Sequence, residues 1–421
     1  MTAEGVKNEG EELTEVELEA SEVLPPPPGH PRFPLLDSIR AFAAISVMLV
    51  HVSIFTGGFD SWYRQFFGQL DIGVPIFFLL SGFLLYRPML GARIAGLPKQ
   101  KISAYARNRF VRIMPAFWVV LTVAAIYPGF HGAFTGDWWV YYGLLQNYPV
   151  YTPDVACATD PIRCGFPPAW SLTVEVFFYL TLPLWAFAMA RIGRLFTARR
   201  WVAVELGGLA LLAAVSLYFQ SYVPITDLET WLFFSPLGRG WWFALGMSLA
   251  VFSVWVQVRP DEPAAVRYIR RHPSVWWILG AGLYLFVTYV ILDPGPSLAF
   301  PVIEPSKYLV SVVAFGIIPF LLLLPAIFGS EGDGLVRRML RNPVLVWLGL
   351  ISYGIFLWHI PVMIVLLDAG VAGWFPSAQF PVMVIATFAV TVVFAALSFY
   401  LVERPLMLWS RRRSQTVNRG Q

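Results

Sequence analysis

Charged side chains are scarce in this chain: they make up 13% of its 421 residues, against 57% hydrophobic ones. So low a charge content excludes a soluble globular domain and points to a polytopic membrane protein. The net charge of +4 makes no case for a nucleic-acid partner, because basic cytoplasmic loops account for such an excess. Residues 1–33 lack a basic start followed by an apolar run, so no secretory signal is expected there. They read as an acidic, proline-containing, disordered cytoplasmic tail. No internal repeat is visible, which argues against transporter architectures built from inverted halves. Cysteine is nearly absent: Cys157 and Cys164 share the segment "CATDPIRC". There they form a disulfide in an extracytoplasmic loop or stay as two free thiols, and neither is a candidate nucleophile.

What the chain does contain is apolar runs long enough to cross a bilayer of about 30 Å. They fall near 39–57, 69–88, 113–129, 170–190, 201–219, 237–257, 275–293, 307–328, 343–367 and 380–402. An even number of spans puts both termini on one side. Of the 30 Lys and Arg, 26 lie in the termini and alternate connections, and only Arg64, Arg163, Arg239 and Lys307 lie on the other side. That bias marks the basic side as cytoplasmic. The expected fold is all-α with about ten transmembrane helices, a membrane domain over 34–405 and a basic cytoplasmic tail over 406–421.

Ionisable groups inside spans are the next signal, because lipid excludes them unless they face protein or water. "IRAFAAISVMLVH" sets Arg40 and His51 eleven positions apart, roughly 16 Å along a helix and within about 20° of one face. Arg40 is then expected at the cytoplasmic interface and His51 near mid-membrane. The fourth span, "PAWSLTVEVFFYL", carries Ser171, Glu175 and Tyr179 as one polar stripe that must face the bundle. The ninth, "ISYGIFLWHIP", adds His359, with Ser352 seven residues earlier. Two histidines and a carboxylate make a general base with an orienting partner. They equally make the proton relay of a coupled transporter, and a neutral, hydrogen-bonded structural histidine is a third reading.

"YARNRFVRIMPAFW" places Arg109 and Arg112 on one helical face, with Arg107 and Lys101 nearby. Paired guanidiniums fork onto phosphates, although topology bias alone also gathers arginine here. Ser81 in "LLSGF" is either an oxyanion donor or a packing residue, and Gly82 beside it allows close approach. Arg239 and Lys307 either face a substrate reached from the outer side or snorkel to the interface. The Trp pairs at 138–139 and 241–242 either stack on sugar rings or serve as interfacial anchors, and the anchor reading is favoured because Trp is expected at the interface anyway. Substrate selectivity is expected in the outer loop at about 130–168, because loops on a rigid scaffold commonly carry it.

Taken together, these stretches resemble the integral-membrane acyltransferase-3 superfamily over about 35–405. The resemblance rests on the Arg-x10-His of Arg40 and His51, "GVPIFFLLSGFLL", and the Arg-x-x-Arg of Arg109 and Arg112. It rests also on "WSLTVEVFFY", "GRGWWFALG" around Arg239, "SYGIFLWHIP", and "YLVERP" with Glu403, Arg404 and Pro405. It implies transfer of an acyl group, often acetyl, from cytoplasmic acyl-CoA to a hydroxyl of a carbohydrate, glycolipid or other polar acceptor, in a bacterial plasma membrane. It also implies His51 as the catalytic histidine, with Arg40 important for activity and Arg109 and Arg112 near the CoA phosphates. Placement adds Glu175 to the catalytic group and His359 to the substrate contacts, with either of the two orienting His51 or binding the acceptor, while Ser81 is assigned to the donor site and Arg239 to the substrate contacts. No metal is expected. The chain stops soon after the tenth span, so no extracytoplasmic SGNH-type esterase domain is expected either.

Overall fold

The computed structural model describes residues 33, 35–56, 62–98, 100–130, 133–134, 136–147, 166–196, 200–222, 235–292, 304–329 and 334–419. Among the described residues the structure is helical, without a strand. In lipid a backbone that satisfies its own hydrogen bonds is the only open-chain solution, and the long apolar runs supply it. The main helices are α1 (Leu35–Thr56), α2 (Gly73–Ile94), α3 (Ile102–Ile126), α4 (Ala169–Gly193), α5 (Trp201–Tyr222) and α6 (Pro236–Gln257). They continue with α7 (Pro273–Phe286), α8 (Pro305–Phe328), α9 (Pro343–Leu350), α10 (Ser352–Asp368), α11 (Gln379–Ser398) and α12 (Arg404–Arg419).

All ten expected spans have counterparts among these helices. Nine are single helices long and apolar enough to cross a membrane, and the remaining one is the pair α9 and α10, bent by 72°. The run at 343–367 is therefore broken at Ile351 rather than continuous. The cause is packing: a Cβ on Gly349 would lie 2.0 Å from the Asp37 carbonyl oxygen, so α9 crosses the first turn of α1 almost backbone to backbone. Helix α10 then turns away to lie between α1 and α11.

Helix α2 is the centre of the bundle, packed against α1, α4, α6 and α8. A Cβ on Gly246 of α6 would sit 2.1 Å from the Leu79 carbonyl oxygen, and one on Gly82 would sit 2.5 Å from that of Phe243. Small residues are what permit so close a crossing. Phe243 is stacked between Phe78 (ring centroids 4.5 Å apart) and Phe178 (4.0 Å), which ties α2, α4 and α6 into one aromatic column. At the periphery, the buried Glu205 carboxylate of α5 accepts hydrogen bonds from Tyr86 and Arg93 of α2.

Three further expectations meet the structure here. Trp241 and Trp242 are each only 3% exposed, so they are not interfacial anchors. Trp241 fills the space left by the missing side chain of Gly316 on α8, while Trp138 and Trp139 remain exposed. The boundary at 405 is not a structural break: α11 runs through a π-helical turn at Phe399–Glu403 into α12, which packs along α3. Cys157, Cys164, most of the outer loop and the acidic first 32 residues lie outside the described residues.

Candidate active site

His51 sits on α1 five residues before its end at Thr56, and His359 sits at the second turn of α10. The tertiary fold brings them together, with His359 Nε2 3.2 Å from His51 Nδ1 and ring centroids 5.0 Å apart. Their tautomers follow from the backbone. His359 Nδ1 lies 2.6 Å from the Phe356 carbonyl oxygen, which only accepts, so that nitrogen carries the proton and Nε2 carries the lone pair. His51 Nδ1 lies 2.7 Å from the Val47 carbonyl oxygen and is protonated for the same reason. The His51 Nδ1–H is thus shared between two acceptors, Val47 O and His359 Nε2. His51 Nε2 is left as a lone pair, and His359 is fully buried with both nitrogens engaged.

Glu175 does not reach this pair. Its Oε1 accepts hydrogen bonds from the Ser81 hydroxyl and, at 2.5 Å, from the Tyr179 hydroxyl. The polar stripe of α4 does face the bundle: Ser171, Glu175 and Tyr179 line a cavity whose wall also includes Ser81, Arg40, Arg109 and Arg112. The proton of Ser81 is committed to Glu175 rather than left for an oxyanion. Arg40 pairs with Asp37 at 3.0 Å. The Arg109 guanidinium lies 5.9 Å from the Tyr179 ring centroid, and its Nε is buried without a hydrogen-bond partner. An orphaned donor beside two further guanidiniums fits an anionic ligand.

Phe356 joins the two parts. It lines the cavity next to Phe77, and its ring centroid is 6.0 Å from that of His359. Sequence inspection had not singled out Phe356 or Tyr353, which lines the same wall and donates to the Ile113 carbonyl at 2.9 Å. For Phe356 a signal existed: it precedes His359 by three residues, on the same helical face. Glu403, noted only within "YLVERP", is buried with neither carboxylate oxygen hydrogen-bonded, within electrostatic reach of Arg112.

Arg239 lies in a separate cluster. It is 3% exposed, with its guanidinium 4.5 Å from the Trp242 ring centroid and 5.6 Å from that of Trp170, and it interacts electrostatically with Asp71 and Tyr308. It is held inside the bundle rather than snorkelling to an interface. Lys307 is exposed.

A multi-span helical protein with a histidine pair beside an arginine-lined cavity has the parts of a membrane-embedded group-transfer enzyme. The chain belongs to the family of the acyltransferase domain, whose model matches residues 33–399. It is 27% identical to the acyltransferase MdmB of Streptomyces mycarofaciens, over 92% of this chain and 95% of that protein. It is 27% identical to the putative membrane-bound transacylase BcsY of Komagataeibacter xylinus, over 91% and 86%. It is 26% identical to the peptidoglycan O-acetyltransferase OatA of Listeria monocytogenes over 89% of this chain, which spans about half (55%) of OatA. No solved structure matches. These relatives favour acyl transfer over the transporter reading.

Proposed function

We propose that the protein transfers an acyl group, acetyl in the simplest case, from cytoplasmic acyl-CoA to a hydroxyl of a carbohydrate, glycolipid or other polar acceptor, with His51 as general base. The observation that supports this most is the hydrogen-bond pattern of the histidine pair. It fixes the His51 tautomer with Nε2 unprotonated, and it places a second lone pair, that of His359, against the His51 Nδ1–H. As His51 Nε2 takes the hydroxyl proton, the positive charge that develops on the ring is met by Val47 O and His359 Nε2. A base held in the correct tautomer by an orienting acceptor contributes about 10²–10⁴-fold to a proton-transfer step. His359 is then a positioning residue rather than a substrate contact.

Arg109 and Arg112 take the CoA phosphates at the cavity mouth, with the ion-paired Arg40 beside them. The 26 Lys and Arg gathered on this side of the chain support a cytoplasmic orientation for it. The pantetheine arm enters along Ser81 and Glu175 and brings the thioester past Phe77 and Phe356 to His51. The acceptor oxygen attacks the thioester carbonyl as its proton moves to His51, and the tetrahedral intermediate collapses with loss of the CoA thiolate, which takes up that proton. The acceptor approaches from the opposite end and meets the half-buried Trp170, whose indole is backed by the buried Arg239 guanidinium.

Titration of the detergent-purified protein with acetyl-CoA tests the donor half of this reading. Saturable binding that is lost in Arg109→Ala/Arg112→Ala supports it. No binding of any CoA thioester to folded protein removes acyl-CoA as the donor.

A further inference from the structure

The last helix contributes to the same basic surface. Helices α3 and α12 run antiparallel, with Arg112 Nη1 3.3 Å from Met407 Sδ, Arg107 Nε donating to Ser410 Oγ at 3.2 Å, and Ser410 Oγ donating to Asn108 Oδ1 at 2.6 Å. Arg411 follows Met407 by one turn and therefore shares its face. This register carries Arg411 to the level of Arg107 and Asn108, outward of Arg109 on α3, and it lies within electrostatic reach of both Arg109 and Arg112.

Three guanidiniums drawn from two helices repel one another. Of the acidic groups near them, Asp37 pairs with Arg40, Glu175 is taken by Ser81 and Tyr179, and Glu403 offsets part of the charge of Arg112 alone. Such a concentration of like charge is stabilised by a ligand with more than one anionic group. Arg109 and Arg112 line the cavity, whereas Arg411 is exposed and stands outside its lining. A ligand that enters tail first meets the cavity arginines with its inner phosphates and Arg411 with its outermost one.

We propose that Arg411 binds the phosphomonoester at the nucleotide end of the acyl donor, the 3′-phosphate of CoA, so that the C-terminal helix discriminates CoA from its 3′-dephospho form. This rests on acyl-CoA being the donor. A charge-assisted hydrogen bond of this kind corresponds to roughly tenfold in affinity.

The test uses the full chain in a neutral detergent. Binding of CoA and 3′-dephospho-CoA is measured by calorimetry for the wild type, Arg411→Gln and Arg412→Gln, with thermal unfolding as the check that each variant is folded. Arg412→Gln removes the same charge about 100° around the helix. The expected result is a roughly tenfold wild-type preference for CoA that disappears in Arg411→Gln and persists in Arg412→Gln, with 3′-dephospho-CoA binding unchanged throughout. Retention of the preference in Arg411→Gln overturns the proposal while leaving CoA as the donor. Equal losses in the two variants overturn it in favour of general surface charge. Binding of neither compound to the wild type overturns the donor reading itself.

Discussion

His359 Nε2 lies 3.2 Å from His51 Nδ1, between residues 308 positions apart in the chain. Because each Nδ1 is already donating to a carbonyl of its own helix, the contact has one polarity: His51 donates and His359 accepts. The free lone pair of His51 is therefore a consequence of two local helix geometries and one interhelical approach.

If His51 is the base, His51→Ala should reduce acyl transfer by about 10²–10⁴-fold while leaving acyl-CoA binding and thermal unfolding unchanged. Normal transfer by folded His51→Ala protein would sink the assignment.

His359 can be separated from a purely structural role by the kind of residue that rescues it. His359→Gln retains an acceptor near the position of Nε2, whereas His359→Phe fills the space without one. Steady-state kinetics should show kcat lowered about tenfold or more for the Phe variant and substantially less for the Gln variant, with KM for the donor unaltered in both. Equal kcat values in the two variants would mean that the acceptor does not matter.

Arg239 should report on the acceptor and not on the donor. Arg239→Lys keeps the charge but loses the flat guanidinium that stacks on the two indoles. The expected outcome is an acceptor KM raised up to about thirtyfold, the equivalent of a desolvated cation–π pairing of about 2 kcal/mol, and an unchanged Kd for acyl-CoA. A weakened donor Kd with a normal acceptor KM would argue the reverse.

Gly246 is a stability prediction independent of chemistry. Its absent Cβ would collide with backbone, the Leu79 carbonyl oxygen at 2.1 Å, and backbone cannot rotate away as a side-chain tip can. Gly246→Ala should destabilise the protein by about 1–3 kcal/mol, seen as a lower unfolding temperature in detergent. Ala in place of the loosely surrounded Gly282, where a Cβ meets nothing within 4 Å, should leave that temperature unaltered.

Hydropathy alone located ten spans and set Arg40, His51, Glu175 and His359 on helices, because a 3.6-residue period and an apolar length requirement are local properties of the chain. The arginine pair before the third span was legible for the same reason. Which polar groups meet was decided only in three dimensions. Of the two groups expected to orient His51 or bind the acceptor, Glu175 hydrogen-bonds to Ser81 and Tyr179 and His359 meets His51, because the rotation and depth of one helix against another are set by packing between them. The break at Ile351 and the burial of Trp241 and Trp242 likewise follow from what packs against them. Periodicity identifies which face of a helix is buried, but the neighbour that buries it is a property of the assembled bundle.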